Sequence, residues 1–270
     1  MDRMDGNTLH TEREVPIART GLDGIALKPA ECAVSRGSDL DTGILVIDYE
    51  GEAHLPDGET LRALAADDTE RRVTTPVRTS GFDPLGDNSL AETLPSEAKR
   101  VLVAGHAAYL TEDERARPVA PRLQAAREKS PEAWVGTEGI ERLALAAGGT
   151  QFELLSRTTL EDVRSLRAAG FTGEIAVYAP VVLTDDDDAV LDALGAYVAR
   201  RGPVARALPE NVATDRRATG RGREVLSAAS RDYALVGTPE GIREQVRELE
   251  DAGVDLVIGY PARGIEEFLD

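Results

Sequence analysis

Tyr233–Gly264, YALVGTPEGIREQVRELEDAGVDLVIGYPARG, decides the fold. It reads as a short apolar strand, a helix and a second apolar strand that ends in a loop bearing Gly and Arg. Thr238 is placed to cap the helix, with Pro239 at its first position and Glu240 in its first turn, where a carboxylate meets the positive end of the helix dipole. Ile242, Val246 and Leu249 recur at helical spacing, and Ala252-Gly253 supplies the stop. Val254–Ile258 is too short and too β-branched to be more helix. The stretch is a helix-to-strand unit of an α/β protein, so the number of such units before it sets the architecture.

Working back toward the N-terminus, seven further apolar runs alternate with helical patterns. They are Gly24–Ala30, Gly43–Tyr49, Arg72–Val77, Arg100–Ala104, Ala133–Gly136, Gln151–Leu155 and Glu174–Ala179, with the last strand at Asp255–Ile258. Helices are expected at Leu61–Ala66, Leu90–Leu94, Pro118–Lys129, Ile140–Ala147, Leu160–Ala169 (capped by Thr159), Ala189–Arg201 and Glu224–Ser230. A long loop is expected from Pro203 to Gly222. Runs that are apolar throughout belong to strands covered on both faces. Eight βα units in a chain of 270 residues predict a (β/α)8 TIM barrel over residues 17–270, preceded by a disordered acidic extension over 1–16. A doubly wound open sheet is the rival, but it would not require eight strands, and no GxGxxG or GxxxxGK[ST] fingerprint is present.

Composition narrows the partners. The formal net charge is -18, from 49 acidic against 31 basic residues, and only Lys28, Lys99 and Lys129 are lysines. An acidic, lysine-poor, aromatic-poor chain points to a halophilic protein, since salt screens the self-repulsion of such a charge. The same charge argues against nucleic acid or anionic membrane partners. Cys32 stands alone, so no disulfide framework or cysteine metal cluster is expected. No apolar run approaches a membrane span, and the first 15 residues lack the apolar segment of a secretory signal, which predicts a cytoplasmic protein.

In a barrel the chemistry lies at the C-terminal ends of the strands. Those positions carry Lys28 and Glu31, Asp48 and Glu50, Thr75 and Arg78, His106, Glu138, Ser156 and Arg157, Tyr178, and Tyr260 and Arg263. Lys28 is notable in a chain so poor in lysine, and His106 and Glu138 are candidate proton carriers. Lys28, His106 and Glu138 are therefore the catalytic candidates, and Asp48, Glu50 and Arg78 the substrate-binding ones. Each also has a plain reading, as a solvated loop group or an acid favouring a helix start. With no HxH pair and no cysteine ligand, no metal site is assigned, although Asp48, Glu50 and Glu138 leave a loose Mg²⁺ site open. Gly259–Gly264 lies where many barrels bind phosphate. Schiff-base lyase or aldolase chemistry at Lys28 is a further option.

Gly237-Thr238-Pro239-Glu240, Ala252-Gly253-Val254-Asp255 and Gly259-Tyr260-Pro261, together with Glu174–Arg201 and its Tyr197, resemble the C-terminal segment of the bacterial luciferase-like superfamily. The nearest branch is the methylenetetrahydromethanopterin-reductase-like group. The resemblance implies a shortened luciferase-like barrel that transfers a hydride between a deazaflavin coenzyme or FMN and a small organic substrate. His106 or Glu138 would then donate the proton, while Gly259, Tyr260, Arg263, Gly264 and Tyr178 would hold the cofactor. A homodimer is an assembly the resemblance allows. The N-terminal half has no counterpart in the family pattern, so a non-catalytic barrel that binds or scaffolds is the alternative expectation.

Overall fold

The computed structural model describes residues 16–64, 69–80, 83–87, 89–106 and 109–269. Among them, eight parallel strands close into a barrel in chain order. These are β1 (Gly24–Leu27), β2 (Ile44–Ile47), β3 (Glu70–Pro76), β4 (Lys99–Val103), β5 (Trp134–Gly136), β6 (Gln151–Leu154), β7 (Ile175–Val182) and β8 (Leu256–Pro261). Closure comes from Gly24 and Ile25 of β1 pairing with Ile258 and Gly259 of β8. The TIM barrel expected from the alternating pattern is the observed fold. The expected extension over 1–16 falls outside the described residues except for Pro16, which begins the helix Pro16–Thr20.

The unit that decided the fold is built as its residues dictate. Thr238 accepts a hydrogen bond from the Gly241 N–H at 3.2 Å, and Gly253, at φ 111°, ends the helix Pro239–Ala252 in the left-handed region. The buried face is Ile242, Val246, Leu249 and Ala252. It joins the main apolar cluster outside the strands, which includes Ile25, Leu45, Ile47, Val257 and the fully buried Phe268.

Strand periodicity sorts the side chains into two layers. Ala26, Val46, Val101, Trp134, Phe152, Ala176, Tyr178 and Ile258 fill the lumen, while their neighbours in sequence face the helices. The N-terminal end of the lumen is stoppered by Arg72, whose guanidinium lies 4.0 Å from the centre of the Trp134 ring. Its Nε donates to Glu70 at 2.5 Å. The C-terminal end is left for a cavity.

The structure departs from the sequence expectation between β7 and β8. Pro203–Gly222 was expected to be loop throughout, but Gly202–Ala207 is a helix. Pro203 sits in its first turn, where a missing N–H is harmless, and Val204 is buried. The next helix runs from Gly220 to Tyr233, longer than Glu224–Ser230. Leu235–Val236 forms only a two-residue strand, which pairs with Val181 and Val182 where β7 extends past β6. A separate antiparallel ribbon, Arg78–Ser80 with Asp83–Asp87, follows β3. Thr158, not Thr159, occupies the cap position of the helix Thr159–Ala168. No helix among the described residues is long and apolar enough to cross a membrane.

One outward-facing group is out of keeping with its surroundings. Glu153 of β6 points into a cavity of about 400 Å³ lined by Glu141, Gln151, Asp162 and Leu166. Burial first, then the charges of Asp162 and Glu141, push its carboxyl from 4.5 up to about 7. Because the folded value lies above the unfolded one, Glu153 costs nothing at low pH. It destabilises the fold progressively as pH rises from about 4.5 to about 7. Glu153→Gln is therefore expected to stabilise the protein by about 1–2 kcal/mol at pH 8 and by little at pH 5. Urea denaturation at the two pH values measures this; an equal effect at both would contradict it.

Candidate functional site

At the C-terminal end of the barrel the lumen opens into a cavity of about 200 Å³. Most of its wall continues the inward rows of the strands by two residues: Lys28 beyond β1, Asp48 beyond β2, Thr74 in β3, Val103 in β4, Glu138 beyond β5, and Tyr178 and Tyr260 in β7 and β8. The same alternation that packs the lumen thus delivers ionisable groups to one place.

Asp48 anchors one side. Its backbone N–H donates to the Leu27 carbonyl at 2.9 Å, which extends the β1–β2 ladder and fixes the side chain over the lumen. The Tyr178 hydroxyl donates to Asp48 Oδ2 at 2.8 Å. Withdrawal from solvent pushes the carboxyl from 3.8 up to about 6, against the opposing effects of the Tyr178 hydrogen bond and the Lys28 charge. The Tyr178 phenol is itself pushed upward, by burial and then by Asp48. Tyr178 and Tyr260 are nearly parallel, with ring centres 6.4 Å apart. Lys28 Nζ lies 3.6 Å from the centre of the Tyr260 ring and 3.7 Å from Glu31. The Tyr260 hydroxyl donates to Glu31, and burial followed by that carboxylate pushes Tyr260 upward.

A second group is built on the β4 and β5 ends and the helix Asp187–Ala199. His106 Nε2 lies 3.1 Å from one oxygen of Glu138, and Arg201 lies 3.5 Å from the other. Arg201 packs over the Tyr197 ring at 4.5 Å and donates to its hydroxyl. The His106 ring is 5.0 Å from Tyr109. Burial first, then the Asp48 charge, raises the Tyr109 phenol. Two features hold this group together. Gly105 comes so close to the Glu138 carbonyl that a Cβ on it would sit 2.4 Å away. Behind it, the fully buried Arg122 donates to the Ala104 carbonyl at 2.8 Å.

Of the residues singled out in the sequence, Lys28, Asp48, His106, Glu138, Tyr178 and Tyr260 come together in this cavity. Glu50 and Arg78 line an adjoining cleft that shares Tyr109; Glu50 accepts the Ala30 N–H at 2.7 Å, and Arg78 pairs with Glu114 at 3.1 Å. The structure does not bring Gly259, Arg263 or Gly264 to the cavity. Gly259 has odd parity on β8 and faces outward, where a Cβ would meet Leu22 at 2.7 Å. Arg263 pairs with Glu267 at 2.6 Å, and Gly264, at φ 107°, turns the chain into Ile265–Phe268. Among the described residues no group of three or more His, Cys, Asp or Glu is arranged to hold a metal ion.

Sequence reasoning missed Tyr109, Arg122, Arg200 and Arg201. A signal existed for Arg122, which shares the buried face of its helix with Leu123 and Ala126. The others lie away from the strand ends. Residues 17–268 match the model of a family described as a family of unknown function (DUF7388). No curated protein matches the chain.

Proposed function

Because the chain belongs to this family of unknown function, its activity has to be read from the cavity, and we propose that it is an enzyme that moves a proton on a small carbonyl compound. The observation that carries this reading is the Asp48–Tyr178 pair at 2.8 Å in a cavity at the C-terminal barrel mouth. A carboxylate with a value of about 6 is ionised at neutral pH yet basic enough to accept a proton. Tyr178 occupies Oδ2 and leaves Oδ1 for the substrate. Asp48 would take a proton from the carbon next to the carbonyl, and the electron pair would move onto the carbonyl oxygen. The Lys28 ammonium is placed to stabilise that oxygen. Return of the proton to the same carbon completes an exchange, and its return to the oxygen gives the enol tautomer. Contacts with Glu31 and Tyr260 suit Lys28 to this electrostatic role better than to a Schiff base.

The flavin or deazaflavin chemistry implied by the luciferase-like resemblance fits these residues less well. The cavity, about 200 Å³, is below the roughly 300–1,000 Å³ common for larger ligands. Of the five residues that would hold the cofactor, only Tyr178 and Tyr260 line it. Titration with FMN and with a deazaflavin, followed by absorbance, separates the readings: saturable micromolar binding of either would overturn the cofactor-free one. The direct test is hydrogen–deuterium exchange, by NMR, at carbons next to the carbonyl in a panel of small ketones and 2-oxo acids. Exchange above the buffer rate with at least one member is expected, and none with any would sink the proposal.

A further inference from the structure

The cavity lining carries three cations, Lys28, Arg200 and Arg201, against two carboxylates, Asp48 and Glu138, in a chain whose formal net charge is -18. Glu31 beside Lys28 and Glu138 beside Arg201 answer two of these charges, and a cation left without such a partner in a concave wall draws anions. Two of the cations are engaged: Lys28 by Glu31 and the Tyr260 ring, and Arg201 by Glu138 and Tyr197. Arg200 is not. It follows the last turn of the helix Asp187–Ala199 and lines the cavity with its side chain exposed, and among the described residues it makes no hydrogen bond or ion pair through that side chain. A cation at a helix C-terminus is favourable in its own right. That preference does not by itself account for its place in the cavity wall, since its side chain bonds none of the helix's last carbonyls.

We infer that the substrate carries an anionic group, a carboxylate or a phosphate, and that Arg200 is the residue that grips it. A guanidinium engages either group through two parallel N–H donors. Tyr197, three residues earlier in the chain, lines the same cavity. With the anion held there, the reactive carbon would lie deeper, toward Asp48. The inference deepens the proposed function and rests on the same cavity being the substrate site.

Calorimetric titration at fixed ionic strength with inorganic phosphate, pyruvate and uncharged acetone tests it on the wild type and on Arg200→Ala, Arg200→Lys and Asp48→Asn. Saturable binding of at least one of the two anions is expected, and the stronger one identifies the group. Arg200→Ala should weaken that binding at least about tenfold, Arg200→Lys should restore part of it, and acetone should be indifferent to both. Arg200 is exposed, so neither variant should disturb folding, and unfolding midpoints check this. Equal anion binding by wild type and Arg200→Ala, or no saturable binding of either anion, overturns the inference. Asp48→Asn should retain the anion. Arg200-dependent binding without any proton exchange would sustain the anchor while removing the proton-transfer reading.

Discussion

Replacing Asp48 by Asn is expected to lower the rate of substrate proton exchange by about 10²–10⁴-fold, the usual contribution of a positioned general base. The amide oxygen of Asn can still accept the Tyr178 hydroxyl, so the cavity should keep its shape and the anion its affinity. In the wild type, exchange should rise with pH through about 6 as Asp48 ionises. The same variant should gain stability. The Asp48 carboxyl titrates at about 6 in the folded chain against 3.8 as its ordinary value, so it burdens the native state increasingly as pH rises across that interval. Asp48→Asn removes that burden, with an expected gain of about 1–2 kcal/mol at pH 8 and almost none at pH 4. Loss of exchange with a gain in stability marks a functional group held at a cost to folding. A variant that loses both would point to a structural role.

Gly105→Ala should have the largest effect of any single methyl group near the site. The added carbon would lie 2.4 Å from the Glu138 carbonyl oxygen and 2.6 Å from Ile140 Cγ2, and one of those obstacles is backbone. The β4 and β5 loops must separate, at an expected cost of about 1–3 kcal/mol. The separation should also break the contact between His106 and Glu138, now 3.1 Å, and loosen Arg201. Gly58→Ala is the control: its nearest neighbour is the Arg62 side chain at 3.6 Å, and it lies in a helix where Ala is preferred to Gly. Thermal unfolding of the two variants, with anion titration of Gly105→Ala, measures both effects. If Gly105→Ala melts with the wild type, the close approach of the two loops is not the constraint described.

Much of the site was legible because a barrel gathers the C-terminal ends of its strands at one mouth. Once the eight apolar runs were placed, the polar residues at and just beyond their C-terminal ends were candidates, and Lys28, Asp48, His106, Glu138, Tyr178 and Tyr260 all came from those ends. The loop after β8 was misleading. Gly259 looked like a phosphate-loop glycine but serves a close contact with Leu22 on the outer face. Arg263 is turned away because the chain must swing at Gly264 to bury Phe268 in the outer core.

The sequence by itself determined the barrel, the capped helix that closes it and the strand ends that meet at its mouth. Each of these follows from a local period or a local cap, which neighbouring residues specify together. Only the tertiary structure decided which groups meet. Tyr178 lies 130 positions from Asp48, and Arg201 comes from a helix end far along the chain from Glu138. Their pairing depends on how the ring closes and where the segment between β7 and β8 folds back. The upward shift of Asp48 depends on the same assembly, since a carboxylate becomes a base near neutral pH only when surrounding strands withdraw it from water.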